Sequence, residues 1–253
     1  SDLSHHVSIS NATLVELPPE YLGEAADLAA NALIDNPIYT AICGPANQST
    51  TAADDDDGPS RSFRQRFLSW IFEKNFRLRS GTCVNRALFD GSNNDKKKNK
   101  QLVAFFMFLP PNTPDVGLLD MLRVGMAAAP FLFGIDVVRR LLSIKDEYER
   151  IERIVVADHR HHRHHRHDNN VPMYRLERMV VRTEMQGRGI GSRALREALR
   201  ESDAAGLPVL LSTQEERNVR FYGRLGFEVV KEDEIAGHTS WSMIRQPVAS
   251  DED

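Results

Sequence analysis

Met179-Val-Val-Arg-Thr-Glu-Met-Gln-Gly-Arg-Gly-Ile-Gly-Ser192 is the stretch on which the reading of this chain turns. The apolar run that leads into it, 174–181, has strand character. Glycines at 187, 189 and 191 make a turn, and Ala194, Leu195, Ala198 and Leu199 then recur at helical spacing across 193–202. A strand, a glycine turn and a helix put unbonded main-chain N–H groups at the positive end of a helix dipole. Alternate glycines let a ligand approach that backbone closely. Such a turn suits phosphate. The glycine order excludes two familiar phosphate loops. Ser192 follows Gly191 where a dinucleotide fold would continue toward its third glycine, and the Gly-Lys-Ser/Thr ending of a nucleotide-triphosphate loop is absent.

What remains, Gln186-x-x-Gly189-x-Gly191, resembles the acetyl-CoA loop of the GNAT superfamily of N-acetyltransferases. A second motif follows in the family's order: Leu210-Leu-Ser-Thr-Gln-Glu-Glu-Arg-Asn218-Val-Arg-Phe221-Tyr222-Gly-Arg-Leu-Gly226-Phe227, a strand and then N-x-x-F-Y-x-x-x-G-F. The two motifs cover the last third of the chain. The resemblance implies an α/β (α+β) GNAT fold: a mixed, mostly antiparallel twisted sheet of about six to seven strands with flanking helices and a helical insertion between the third and fourth strands. One domain is expected over 1–253, with its acetyl-CoA-binding core at 171–230.

The resemblance also assigns roles. The diphosphate of acetyl-CoA, the expected co-substrate, would lie on the backbone of Gly187, Arg188, Gly189, Ile190, Gly191 and Ser192. Gln186 would shape the turn, and Arg188 would add charge. Main-chain groups of Met179, Val180 and Val181 would meet the pantetheine arm, as would Asn218, which could equally cap its helix. Tyr222 stands where relatives place the tyrosine that protonates the departing thiolate, the alternative being an aromatic that only packs. A period of two puts Glu177 on one face with Met179 and Val181, which makes it the candidate base. Pairing with Arg175 or Arg178, or proton loss to solvent, are its alternatives. Glu184 in the turn and the lone His238 are set aside.

Acetyl transfer to a primary amine of a small molecule is the activity this implies, in the manner of puromycin-type acetyltransferases. A protein lysine or N-terminal acetyltransferase, or an acyl-CoA-binding module without catalysis, are the alternatives. Neither Cys43 nor Cys83 lies in a motif, so direct transfer is expected rather than a covalent intermediate.

Composition is that of an ordinary globular protein: 253 residues, 41% hydrophobic and 27% charged, with a net charge of -4 that gives no general attraction to nucleic acid. Two cysteines without metal or redox spacing lead us to expect free thiols and a cytoplasmic protein. The chain opens on Ser1-Asp-Leu-Ser, as a trimmed or truncated chain would, and no secretory apolar stretch follows.

From the N-terminus, a strand is expected over 7–17, a helix over 20–34, a solvated acidic loop over 47–60 and an aromatic-rich helix over 61–79. Strands follow at 82–89 and 102–109, joined by a loop carrying Lys96 to Lys100. The insertion, 110–151, is expected to hold helices at 116–128 and 131–145. Asp120, Arg123 and Pro130 interrupt its apolar run, so it does not span a membrane. Its Met121, Met126, Phe131 and Phe133 read first as core or as a homodimer face, second as the lining of an acceptor pocket. The His/Arg tract at 158–170 is read as low-complexity loop with no metal role, because interleaved arginines repel a cation. Two closing strands, 228–231 and 240–245, precede an acidic tail at 247–253.

Overall fold

A computed structural model describes residues 14–44, 61–82, 84–90, 100–114, 116–162 and 172–248. The acidic loop 47–60, most of the lysine-rich loop, residues 7–13 of the expected first strand, Cys83 and the end of the tail lie outside the described residues.

Seven strands form one sheet in the order β1-β2-β3-β4-β5-β7-β6: β1 Leu14–Glu16, β2 Asn85–Phe89, β3 Leu102–Leu109, β4 Tyr174–Val181, β5 Val209–Thr213, β6 Phe227–Ile235 and β7 His238–Arg245. Every neighbouring pair is antiparallel except β4 with β5. Eight α-helices flank it among the described residues: α1 Leu22–Leu33, α2 Pro37–Cys43, α3 Arg61–Leu78, α4 Leu118–Arg123, α5 Ala129–Phe133, α6 Ile135–His162, α7 Ile190–Ala204 and α8 Glu216–Gly223.

The interior strand β3 is buried along its whole length, so it reads as an unbroken apolar run, and its alternation feeds two cores. Phe105 and Met107 join α1, α3 and α6 on one face. Phe106 and Phe108 join Ala194, Leu195, Ala198 and Leu199 of α7 on the other. Phe76 of α3 lies 4.3 Å from Phe105, ring centre to ring centre. Each such phenyl, fully buried, contributes about 1.5–3 kcal/mol.

Three features depart from the expected layout. Between the expected first helix and the acidic loop stands α2, which carries a full set of stop and start signals. The Asn36 side chain accepts from Ile38 N (3.0 Å), Pro37 occupies the first turn, and Gly44 ends the helix at φ +77. The insertion folds as α4, a short 3-10 turn and α5, and then as one 28-residue helix, α6, about 42 Å long by its rise. Val137, Ile144, Ile151 and Val155 make the buried stripe of α6, and it runs on through His162, into the first residues of the His/Arg tract. The tract's remainder, 163–170, is outside the described residues. Within the insertion Phe133 is core, in line with the first reading of its apolar residues, ringed by Phe63, Phe67 and Trp70 at 5.3–6.0 Å, whereas Phe131 is 91% exposed.

The remaining departure lies in β4. Phe105 pairs with Val180 but Met107 pairs with Glu177, so Phe106 faces two residues, and Arg178 adopts φ +53. This is a β-bulge, and it reverses the strand's faces. Leu176 packs in the α7-side core, whereas Val180, four residues on, packs in the opposite core. Beyond Arg175, no strand among the described residues pairs with β4 on its β5 side: the pairing is Tyr174 with Val209 and Arg175 with Leu210, while β5 continues along β7 to Thr213. The two parallel strands therefore part, leaving an opening in the middle of the sheet.

Candidate functional site

The glycine turn stands at the end of β4, beside this opening. Gly187 and Gly189 both have φ +75, and nothing among the described residues lies within 4 Å of where a Cβ would sit. Gly189 precedes α7 and brings no capping side chain, so the first N–H groups of the helix are left for a ligand. Arg188 is exposed and Ser192 half-buried, while Ile190 drops into an apolar niche with Leu88, Val103, Ala104 and Met185. That anchor holds the turn in place. Gln186 Nε2 donates to Val181 O (3.0 Å), which ties the turn back to the strand.

Gly191 has a different task from the other two glycines. A Cβ there would stand 3.2 Å from Met179 Cε, 3.3 Å from Val181 Cγ2 and 3.5 Å from Phe221 Cζ. It allows the first turn of α7 to pack tightly between β4 and α8.

Main-chain direction along β4 follows from one bond. Arg182 N donates to Val103 O of β3 (2.8 Å), so by alternation the main-chain groups of Val181 and Met179 face the opposite way, toward the opening. Val180 is turned from it, its main chain toward β3 and its side chain in the α1–α3 core.

Tyr222 is buried in the cluster that contains Leu176 of β4 and Leu211 of β5, the strands that part, with Phe221 at 5.1 Å and Phe227 at 5.7 Å. Burial pushes its phenol well above the usual tyrosine range, and the charge of Glu215 adds to the rise. Asn218 lies four residues earlier, on the same side of α8 and half-buried. It sits within the first turn of α8, which Glu215 precedes, so it is not the cap.

Glu177 does not share a face with Met179 and Val181. The bulge at Arg178 sends it to the α6 side with Arg175, and there it pairs with Arg178. Arg178 in turn contacts Tyr39 of α2, lies 5.8 Å from the Phe72 ring centre, and donates to Met107 Sδ (3.2 Å). Arg175 pairs with Glu152 of α6. Burial raises the Glu152 carboxyl, Arg175 pulls it back, and Glu177 pushes it up again, so the two carboxylates sense each other. One α6 turn earlier, Tyr148 hydrogen-bonds Ser240 of β7 and Gln214, and burial pushes its phenol up to about 12. Gln214 also bonds Ser240 (3.3 Å) and Asn36 (3.2 Å). Helix α6 thus packs on α2 and β6 and reaches across to β7 on the side opposite the glycine turn. Sequence reasoning missed Tyr39, Tyr148 and Glu152. The 148/152 spacing on one helix face was the available signal. Glu184 is exposed in the turn and His238 exposed at the start of β7. Among the described residues no three His, Cys, Asp or Glu side chains converge, and no helix is long and apolar enough to cross a membrane.

Residues 139–229 match the family model described as an acetyltransferase (GNAT) domain. Among solved structures, the chain is similar to a histone acetyltransferase HPA2 and related acetyltransferase from Corynebacterium glutamicum, with 13% identity, 95% of this chain and 98% of that one covered, and a TM-score of 0.56. It is similar also to a putative arylalkylamine N-acetyltransferase 7 of the yellow fever mosquito, with 11% identity, 93% and 87% covered, and a TM-score of 0.56. At such identities these two speak for the fold alone. The family match runs from α6 through the glycine turn and the helix of Tyr222 into β6, and it marks residues 139–229 as an acetyltransferase (GNAT) domain.

Proposed function

We propose that the chain transfers the acetyl group of acetyl-CoA directly to the primary amine of a small molecule. The observation that carries this reading is the opening between β4 and β5, with an uncapped helix start and two unobstructed glycines at one end and a buried tyrosine in its wall. In this reading residues 1–253 are a single domain. The co-substrate's diphosphate rests on the N–H groups of residues 187–192, Gln186 and Arg188 serve the turn, and the pantetheine arm meets the main chain of Met179 and Val181 and the side chain of Asn218.

The acceptor enters from the α6 side. Glu177 takes one proton from its ammonium, and the C–N bond forms as the C–S bond breaks. The thiolate receives the Tyr222 proton, and the second nitrogen proton returns to the phenol through solvent. A thiol ionises near pH 8.5, below this phenol, so donation must be concerted with that return. A small acceptor is favoured over a polypeptide because α6, clasped to β7 through Tyr148, lies across the side where a peptide would need an open groove.

The test is release of CoA thiol from acetyl-CoA across aralkylamines, polyamines, aminoglycosides, amino acids and histone peptides, with Tyr222→Phe in parallel. We expect turnover on a small-amine class and a fall in kcat of about 10²-fold in the variant. Acetyl-CoA binding without turnover on any amine would point to a binding module, and turnover on peptides alone would overturn the small-molecule assignment.

A further inference from the structure

The α6 side of the opening is furnished by side chains that the two sequence motifs do not contain. Glu152 and Tyr148 come from α6, Tyr39 from α2, and Glu177 with Arg175 from β4 before its bulge. Glu177 and Glu152 stay 39% and 32% exposed although each is tied to an arginine, so both carboxylates can be reached. Their partners differ. Arg178 is held by Glu177, Tyr39, Met107 and the Phe72 ring and is fixed in place. Arg175 is 44% exposed and pairs with Glu152. An ion pair with so exposed a member contributes little and exchanges readily. Arg175 thus holds, for the free protein, a seat that fits a cation entering from solvent.

We propose that Glu152 is a specificity-determining residue that receives the ammonium of a cationic aralkylamine in exchange for Arg175, with Tyr39 and Tyr148 flanking the amine's aromatic body. Cationic groups favour aromatic faces, which joins the two halves of this recognition. The groups that face Glu152 are Arg175 and Glu177 from β4 and Glu149 from its own helix, and burial with the charge of Glu177 keeps its carboxyl raised. Helix α6 therefore selects the acceptor, while the glycine turn serves the co-substrate. The inference rests on the acetyltransferase reading above.

The test is calorimetric titration of the protein, in the presence of CoA, with 2-phenylethylamine and with its neutral counterpart 2-phenylethanol, for the wild type, Glu152→Gln and Arg175→Gln. We expect the wild type to prefer the amine. Glu152→Gln should lose that preference, with amine affinity down at least tenfold and alcohol affinity unchanged, and Arg175→Gln should keep or improve amine binding. A pair with only a structural role would make the two variants behave alike, and that result overturns the proposal. So does equal binding of amine and alcohol by the wild type, or no binding of the amine. Titration with acetyl-CoA in the same proteins reads the co-substrate site separately: loss there defeats the acetyltransferase reading, whereas retained acetyl-CoA binding with an indifferent Glu152→Gln defeats this inference alone.

Discussion

The two sides of the opening between β4 and β5 are built from different materials. On the α7 side the working groups are main-chain N–H and C=O, placed by glycines at φ +75, a tight helix-to-strand contact at Gly191 and one glutamine tether. On the α6 side they are carboxylates, phenols and guanidinium groups drawn from α2, β4 and α6, with the Ser240 hydroxyl of β7. A site made of backbone recognises a fixed group such as a diphosphate and tolerates changes of exposed side chains. A site made of side chains can be retuned one residue at a time.

The largest effect that would sharpen this contrast is expected at Glu177. Glu177→Gln should lower kcat/KM for the amine by about 10²-fold with the affinity for acetyl-CoA intact. If steady-state kinetics show no change, solvent takes the proton and the α6 side only positions the acceptor. On the α7 side, Gly191→Ala forces Met179 and Val181 to move and should cost about 1–3 kcal/mol of stability in urea unfolding. A neutral result would mean that this contact is looser than 3.2 Å implies. Asn36→Ala removes the cap of α2 and should cost about 1 kcal/mol, read as a shift in thermal midpoint.

The smallest expected effect lies outside both halves. Burial alone would raise Asp203, but hydrogen bonds from Arg245 and from Val248 N, with the charge of Arg245, hold it below the usual carboxylate range. Its contribution is present above its unfolded value near 3.9 and disappears as pH falls through the depressed folded value. Asp203→Asn should therefore be less stable than the wild type at pH 7, and the gap should close on acidification. A gap independent of pH in denaturation curves would refute the assignment.

The α7 side was legible because its chemistry is spelled in consecutive residues. Gln186 to Ser192 and Asn218 to Phe227 are short, and each glycine's position carries its own steric meaning. The α6 side was not, for reasons that can be named. Helix α2 has seven residues, too few for periodicity to register, although Asn36-Pro37 and Gly44 mark both of its ends. The stripe of α6 continues through Tyr148 and Ile151 across a charged run, 145–150, in which apolar residues are sparse, whereas the expected helix ended at Lys145. The bulge at Arg178 has no signature in residue type, since arginine rarely adopts φ +53. It is held there by its neighbour Glu177 and by Tyr39 and Phe72, which are distant in sequence. A period-two reading of β4 therefore put Glu177 on the wrong face.

Arg140 of α6 donates to the carbonyls of Ile42 (2.7 Å) and Cys43 (2.8 Å), so the last turn of α2 is completed by another helix. These two elements are one cooperative unit. Amide protons of α2 should exchange with deuterium at the rate set by the opening of α6, and every excursion of α6 that frees those carbonyls also loosens the helix that carries Tyr39. The acceptor side would then open and close as a whole, on a clock independent of the glycine turn.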